Sequence, residues 1–430
     1  MKKGQTEVHA ETRRARRESN HPPSALSAPP REKKSGWQTK KLGDVCDVVG
    51  GGTPPKDKPA FYSGDIPWAT VRDMRQDIIT ETEFRITKDA VKSSATNIIP
   101  AGNVVIATRV GLGKVCLLAQ DTAINQDLRG IVPRSEMTLA VRYLYWWLKS
   151  ISDVIVAEGT GATVQGVKLP FVKSLQIPVP PLAEQQRIVG LLDEAFEGIA
   201  TAKANAEKNL QNARALFESH LQSVFTQRGP GWVEKRLEEA ADASCSLSYG
   251  IVQPGEEYRD GMAVVRPTDL TKKVITLDGL KRINPQLADG YKRTTLRGGE
   301  LLLCVRGSTG VASIASPELV GANVTRGIVP IRFDHSLILP EFAFHLINSE
   351  PVQSQIRAKT YGAALMQINI RDLRVITLSI PPLQEQKRLA ANLDDLRAET
   401  QRLARLYEQK LAALEALKKS LLHQAFTGEL

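Results

Sequence analysis

The chain has 430 residues, 57 basic against 47 acidic side chains, 42% hydrophobic residues and 5% aromatics, which excludes a disordered or fibrous protein. No stretch approaches the roughly 20 apolar residues of a membrane span, and the first thirty residues hold no apolar secretion segment, so a cytoplasmic location without a membrane partner is expected. Cys46, Cys116, Cys245 and Cys304 lie far apart with no histidine at ligand spacing, which predicts reduced, mostly buried thiols and no metal site.

Residues 1–35 carry nine basic and four acidic groups, half of the net charge of +10. Rich in Pro, Ser and Arg and almost without large apolar residues, this leader cannot build a core and is expected to be disordered. It reads either as a basic arm for phosphates or as a variable leader from an upstream start codon, and its composition favours the second.

Residues 36–179 predict a mixed α/β domain. Val104-Val105-Ile106-Ala107-Thr108 reads as a strand and Tyr143-Leu144-Tyr145-Trp146-Trp147-Leu148 as a buried helix, with turn-rich loops at Gly50–Lys56 and Arg109–Lys114. Residues 180–228 predict a long helix, opened by Pro180-Pro181, with Glu184 at the positive end of its dipole and no proline inside. Residues 229–380 predict a second α/β domain, with a strand at Leu301-Leu302-Leu303-Cys304-Val305, a buried helix at Phe342–Leu346, and loops at Tyr249-Gly250 and Arg306–Gly310. Residues 381–430 predict a second long helix.

The chain is thus two copies of one unit. Pro180-Pro181-Leu182-Ala183-Glu184-Gln185-Gln186-Arg187 returns as Pro381-Pro382-Leu383-Gln384-Glu385-Gln386-Lys387-Arg388, and the register holds through Leu192-Asp193 with Leu393-Asp394 to Phe225-Thr226 with Phe426-Thr427. Upstream the match is weaker: Gly36-Trp37 answers Gly231-Trp232, Arg109 answers Arg306, and Gly130-Ile131-Val132-Pro133 answers Gly327-Ile328-Val329-Pro330. In the second helix a seam of alternating 4-and-3 steps from Leu389 to Leu421 is apolar except at Thr400 and Lys410; in the first, from Ile188 to His220, four seam residues are alanines. A small seam calls for a partner with large side chains, so the helices are expected to pair with each other as an antiparallel coiled coil.

No catalytic constellation is found. Gly113-Lys114 is followed by Val115, not by the hydroxyl residue of a phosphate loop, and the glycines at 159, 161 and 166 lack the strand and helix of a dinucleotide site and read as a turn. The Asn-Pro-Pro-aromatic motif of amino-methyltransferases, the Pro-Asp motif of metal-dependent nucleases, His-Glu-x-x-His and Gly-x-Ser-x-Gly are all missing, and His220 and His345 read as packed residues. What remains is a binding architecture suited to a two-part target. The candidate DNA contacts are Thr53, Lys56, Trp68, Arg72, Arg109, Lys114, Tyr249, Arg266, Arg306 and Ser308. Of these, Arg109 and Arg306 stand beside glycines at matching repeat positions, and each fits a structural turn arginine equally well.

The repeated Ile177-Pro178-Val179-Pro180-Pro181-Leu182-Ala183-Glu184-Gln185 and Ile380-Pro381-Pro382-Leu383-Gln384-Glu385-Gln386, each leading into a long helix that ends near Phe-Thr, resemble a specificity subunit of a type I restriction-modification enzyme over nearly the whole chain after residue 35. Gly51-Gly52-Thr53-Pro54, Asp65-Ile66-Pro67-Trp68 and Asp73-Met74 are similar to a common target-recognition-domain type. The resemblance implies two such domains reading a split asymmetric sequence in double-stranded DNA. It also implies a non-catalytic chain whose paired helices, with Glu184, Gln185, Arg187, Leu192, Glu385, Gln386, Arg388 and Leu393, act as spacer and as docking surface for two modification subunits. Those subunits would bring S-adenosylmethionine, and restriction subunits ATP and Mg2+; no cofactor is implied for this chain. Two other readings stay open at this point: a stand-alone DNA- or RNA-binding module, and a coiled-coil adaptor without methylase partners.

Overall fold

The computed structural model describes residues 37–160, 166–363 and 365–430. The basic leader, Gly36 and Gly161 lie outside the described residues. Two compact units divide the chain: one runs to Gly198 and includes Ala416–Leu430, the other is Ile199–Glu415.

In the first unit a five-stranded sheet has the order Cys46–Gly50, Leu128–Pro133, Val104–Ala107, Val115–Leu118, Ile78–Ile79. A four-stranded sheet has the order Phe84–Ile86, Ile66–Ala69, Thr122–Ile124, Asn97–Ile99. The run at Val104 is unbroken in apolar character because both faces of its strand are covered. Val104 and Ile106 pack with the helix Val141–Ser150, while Val105 and Ala107 pack toward Ile99, Ile124 and Leu128. In the second unit Leu301 and Leu303 join the cluster of the helix Pro340–Ile347, and Leu302 and Cys304 join the one containing Val265, Val324 and Ile328. Each unit closes its ends alike: Gln38–Lys41 pairs antiparallel with Gln176–Val179, and Val233–Arg236 with Thr377–Ile380.

Strand registers correct one part of the sequence alignment. Ile131 lies opposite Val104 and Ile331 opposite Leu301, so Ile131 answers Ile331 and the two Gly-Ile-Val-Pro runs sit three residues out of step. Their identity is fortuitous: both are buried strands, where the same few apolar residues recur.

The long helices are Leu182–Thr226 and Leu383–Thr427, 45 residues each. They pair antiparallel in both units. In the first, Arg187 donates to the Leu430 carbonyl at 2.8 Å and the Lys418 ammonium stands 5.3 Å from the Phe196 ring; in the second, Lys203 meets Glu415 and Arg214 meets Glu408, both at 2.7 Å. The expected 4-and-3 seam holds only partway. Lys410, Leu417 and His220 are exposed, as is Leu216, while Leu210, Phe217, Leu221, Leu411, Lys418 and Leu422 turn inward. A straight helix repeats every 3.6 residues, so strict heptad positions drift by about 20° per heptad and the seam passes to the neighbouring residue. Thr400, an exception in sequence, is buried in the seam, its hydroxyl donating to the Leu396 carbonyl at 2.8 Å.

The repeated glutamines explain why the Pro-Pro-Leu-x-Glu-Gln motif recurs. Gln185 is fully buried; its oxygen accepts from the Ala140 amide and its nitrogen donates to the Thr138 and Pro180 carbonyls, all at 2.9 Å. Gln386 repeats this with the Leu339 amide at 2.9 Å and the Leu337 and Pro381 carbonyls at 2.8 Å. Each glutamine ties its long helix to the start of the α/β part's buried helix, so neither side chain is available to a partner. Leu192 and Leu393 are likewise fully buried, in the cores of their own units.

Candidate nucleic-acid interface

In the first unit the Gly50–Pro55 loop crosses the end of the strand Thr122–Ile124. Gly51 permits this, since a Cβ there would fall 2.0 Å from the Asn125 carbonyl oxygen. The loop is fixed by two side chains: Tyr62 donates its hydroxyl to the Pro54 carbonyl at 2.8 Å and Trp68 its indole N–H to the Gly52 carbonyl at 3.1 Å. Tyr62, Trp68 and Phe84 pack edge to face, with Trp68 centroids 5.9 Å from Tyr62 and 6.2 Å from Phe84.

Together these elements line a cleft of about 540 Å3 with Thr53, Lys56, Thr70, Val71, Arg72, Val110, Asn125, Gln126 and Asp127. Four sequence candidates, Thr53, Lys56, Trp68 and Arg72, therefore meet in one place. Trp68 is a buried wall, and Arg72 stands largely in solvent, 3.5 Å from Glu83. Arg109 is adjacent, its guanidinium 3.7 Å from Asp127, whereas the exposed Lys114 lies outside the cleft lining.

Sequence reasoning missed the turn Asn125–Asp127. Asn125 closes it by accepting from the Asp127 amide and donating to the Asp127 carboxylate, both at 3.1 Å. Next to it Arg129 donates to the Gln126 carbonyl at 2.9 Å; burial, and then the nearby Arg109, lower its pKa, with Asp127 opposing. The signal was present as Asn-x-Asp beside a strand end, but nothing in the sequence joins it to loops 55 to 75 residues away.

The second unit rebuilds the frame with other side chains. Gly250 meets the Val324 carbonyl as closely as Gly51 meets that of Asn125, and the Ile251 amide donates to Val324 at 2.8 Å as Gly52 does to Ile124 at 3.0 Å. Asp73 accepts from the Thr70 amide and Asp269 from the Arg266 amide, both at 2.7 Å. The arginine loops are also equivalent. The Ala107 amide reaches the Lys114 carbonyl and the Cys304 amide that of Val311; Arg109 bridges Gly166 and Arg306 bridges Gln367. Left-handed backbone at Val110, Gly111 and Gly113 answers that at Gly307 and Gly310.

The remaining candidates behave differently from one another. The Arg266 guanidinium is taken up by Asp269 at 2.8 and 3.1 Å, and that hydrogen bonding raises its pKa. The Tyr249 hydroxyl accepts from the Ile370 amide at 3.2 Å. Ser308 is exposed on its loop, and Arg306 has a buried Nε with no hydrogen-bond partner among the described residues. Arg187 and Arg388 stand over Glu184 at 2.7 Å and Glu385 at 3.8 Å on the first turns of the long helices.

Cys46 and Cys116 are buried, which pushes their thiols up to about 12 and about 11 and leaves them protonated. Among the described residues no three His, Cys, Asp or Glu side chains group as metal ligands, and no helix is long and apolar enough to cross a membrane.

A two-copy match to the type I restriction modification DNA specificity domain covers residues 34–211 and 232–415. The chain belongs to this family of type I restriction modification DNA specificity domains. It is 24% identical over 311 residues to the EcoBI specificity subunit of Escherichia coli, covering 67% of this chain and 65% of that one. It is 37% identical over 165 residues to the EcoR124I/EcoR124II specificity subunit of the same organism, covering 37% and 40%. The matched segments thus span less than two thirds of these two relatives. A match to the MjaVIII specificity subunit of Methanocaldococcus jannaschii, at 20% identity, covers 92% of this chain and 93% of that one. In fold, the chain is similar to one solved in work on complex assembly and conformational transition of the type I R-M system, with a TM-score of 0.72, 21% identity and coverage of 93% and 100%. It is also similar to the HsdS subunit from Thermoanaerobacter tengcongensis, with a TM-score of 0.61, 19% identity and coverage of 93% and 99%.

Proposed function

We propose that the two α/β parts, residues 36–179 and 229–380, are target-recognition domains that read two unlike half-sites of an interrupted, asymmetric duplex DNA sequence. The paired helices would hold the gap and dock two methyltransferase subunits, to which restriction subunits add. S-adenosylmethionine would then be bound by the methyltransferase partners and ATP and Mg2+ by the restriction partners.

The observation that carries this reading is the repetition of one backbone frame around the arginine loops with different side chains at its mouth. A shared frame presents each surface to a duplex in the same way, and unlike surfaces read unlike sequences. A stand-alone coiled-coil adaptor has no use for such loops. The test is methylome sequencing of cells with and without this chain, together with co-purification of its methyltransferase subunit. A two-part methylated motif that depends on the chain supports the reading; methylation unchanged by its deletion contradicts it.

A further inference from the structure

The turn missed by the sequence, Asn125–Asp127, has a counterpart at Thr325–Gly327. The Leu128 amide reaches the Asn125 carbonyl at 3.2 Å and the Ile328 amide that of Thr325 at 2.9 Å. The Thr108 amide reaches Asp127 and the Val305 amide reaches Gly327, both at 2.8 Å. Gln126 and Arg326 therefore occupy one position of the frame, directly beside the arginine loop of each unit. Both are exposed, while Asn125 and Thr325 before them are buried. The turn thus lifts a single long polar side chain out of each domain.

The chemistry of the two side chains differs in a defined way. Gln126 lines the cleft, and its amide is oriented from both sides: Thr53 donates its hydroxyl to the amide oxygen, and the amide nitrogen donates to Asp127 at 3.3 Å. A carboxylate only accepts, so the nitrogen must face Asp127 and the oxygen Thr53; each atom keeps one lone pair or one N–H for a ligand. That pair of groups matches the adenine edge, an N6 donor beside an N7 acceptor. The Arg326 side chain has no hydrogen-bond or ion-pair partner among the described residues, and glycine stands where Asp127 stands in the first unit. Its unopposed fork of donors matches the two acceptors of guanine, O6 and N7.

We infer that Gln126 and Arg326 are base-reading residues of the two domains, Gln126 selecting an adenine in one half-site and Arg326 a guanine in the other, with Thr53 a positioning residue for Gln126. This rests on the functional reading above and adds which residues carry the specificity.

The test uses the full chain assembled with its methyltransferase subunits and reads the methylated motif genome-wide. Arg326→Gln should change one guanine to adenine in one half-site and leave the other half unchanged. Gln126→Ala should relax one adenine in the opposite half. Bidentate contacts of this kind discriminate by about 10- to 100-fold. If Arg326→Gln assembles poorly, Arg326→Ala decides the matter by binding of the same complex to duplexes substituted one base pair at a time: discrimination should vanish at one G·C pair. Motifs and binding profiles identical to wild type in assembled variants would overturn the assignment while leaving two-domain reading intact. A wild-type complex that methylates no two-part motif would overturn the functional reading, and the assignment with it.

Discussion

The two α/β units keep the same backbone hydrogen bonds around their loops and spend their side chains differently. In the first, aromatic rings and amides wall a cleft beside the arginine loop. In the second, the equivalent surface holds an arginine tied to Asp269, a tyrosine hydroxyl tied to a backbone amide, and Arg326, unpaired among the described residues. The constant elements are those that satisfy buried backbone: the helix-end glutamines, the closing strand pairs and the loop glycines. The lesson is that a frame held by main-chain bonds leaves its rim free to vary, as a device for reading different sequences requires.

The strongest way to break the comparison is at the glutamines. Gln185→Leu and Gln386→Leu each leave one amide and two carbonyls without their partner, and each is expected to destabilise its own unit by about 4 kcal/mol in denaturant unfolding followed by local hydrogen exchange. A silent substitution at either site would show that the two junctions are not equivalent.

A second contrast lies about two helical turns further on. Asp193 accepts from Trp146 at 2.7 Å and Arg142 at 2.6 Å, whereas Asp394 faces His345 at 2.8 Å and Lys273 at 2.5 Å. Burial pushes the His345 pKa down to about 4, Asp394 opposing and Lys273 and Arg397 adding to the fall; its buried Nδ1 has no hydrogen-bond partner among the described residues. An unfolded histidine titrates near 6.5, so between these values the unfolded chain binds the extra proton. The stabilising contribution is therefore complete above about pH 6.5 and is lost as pH falls toward 4, up to about 3 kcal/mol. The acid-dependent slope should be weaker in His345→Gln, and the first unit, with tryptophan at this place, should lack this component. Equal slopes for wild type and His345→Gln would remove the histidine from the account.

Smaller effects are expected at the rim. Arg109→Ala and Arg306→Ala should each weaken DNA binding by the assembled complex, by about 1 to 3 kcal/mol if they hold bases in bidentate fashion, or with a shallower salt slope if they hold phosphate. Arg266→Ala should cost least, about 0.5 kcal/mol of stability, because its pair with Asp269 is partly exposed. A loss of binding at Arg266 larger than at Arg306 would reverse the roles assigned to these two arginines.

Much of the architecture was legible in the sequence. The strands at Val104 and Leu301, the helices at Tyr143 and Phe342 and the two long helices all follow from apolar pattern and proline placement. The equivalence of Arg109 and Arg306 was also visible, because Gly102 and Gly299 keep the same spacing from them. Two things were not. The Gly-Ile-Val-Pro match misled because loop insertions shift the offset between the copies from 195 residues at Gln38 and Val233 to 201 at Gln185 and Gln386, which hides register within short strands. The Gln126 and Arg326 turn was invisible because the two residues differ, and their common position is defined by backbone bonds that no local pattern encodes.

The most direct test of the central claim is exchange of one domain. Residues 36–179 are replaced by the equivalent part of another specificity subunit, the chain is assembled with its methyltransferase partners, and the methylated motif is sequenced. One half-site should change to that of the donor while the other half and the gap stay as they were. A change in both halves together, or in neither, would contradict two domains that read separate parts of the target.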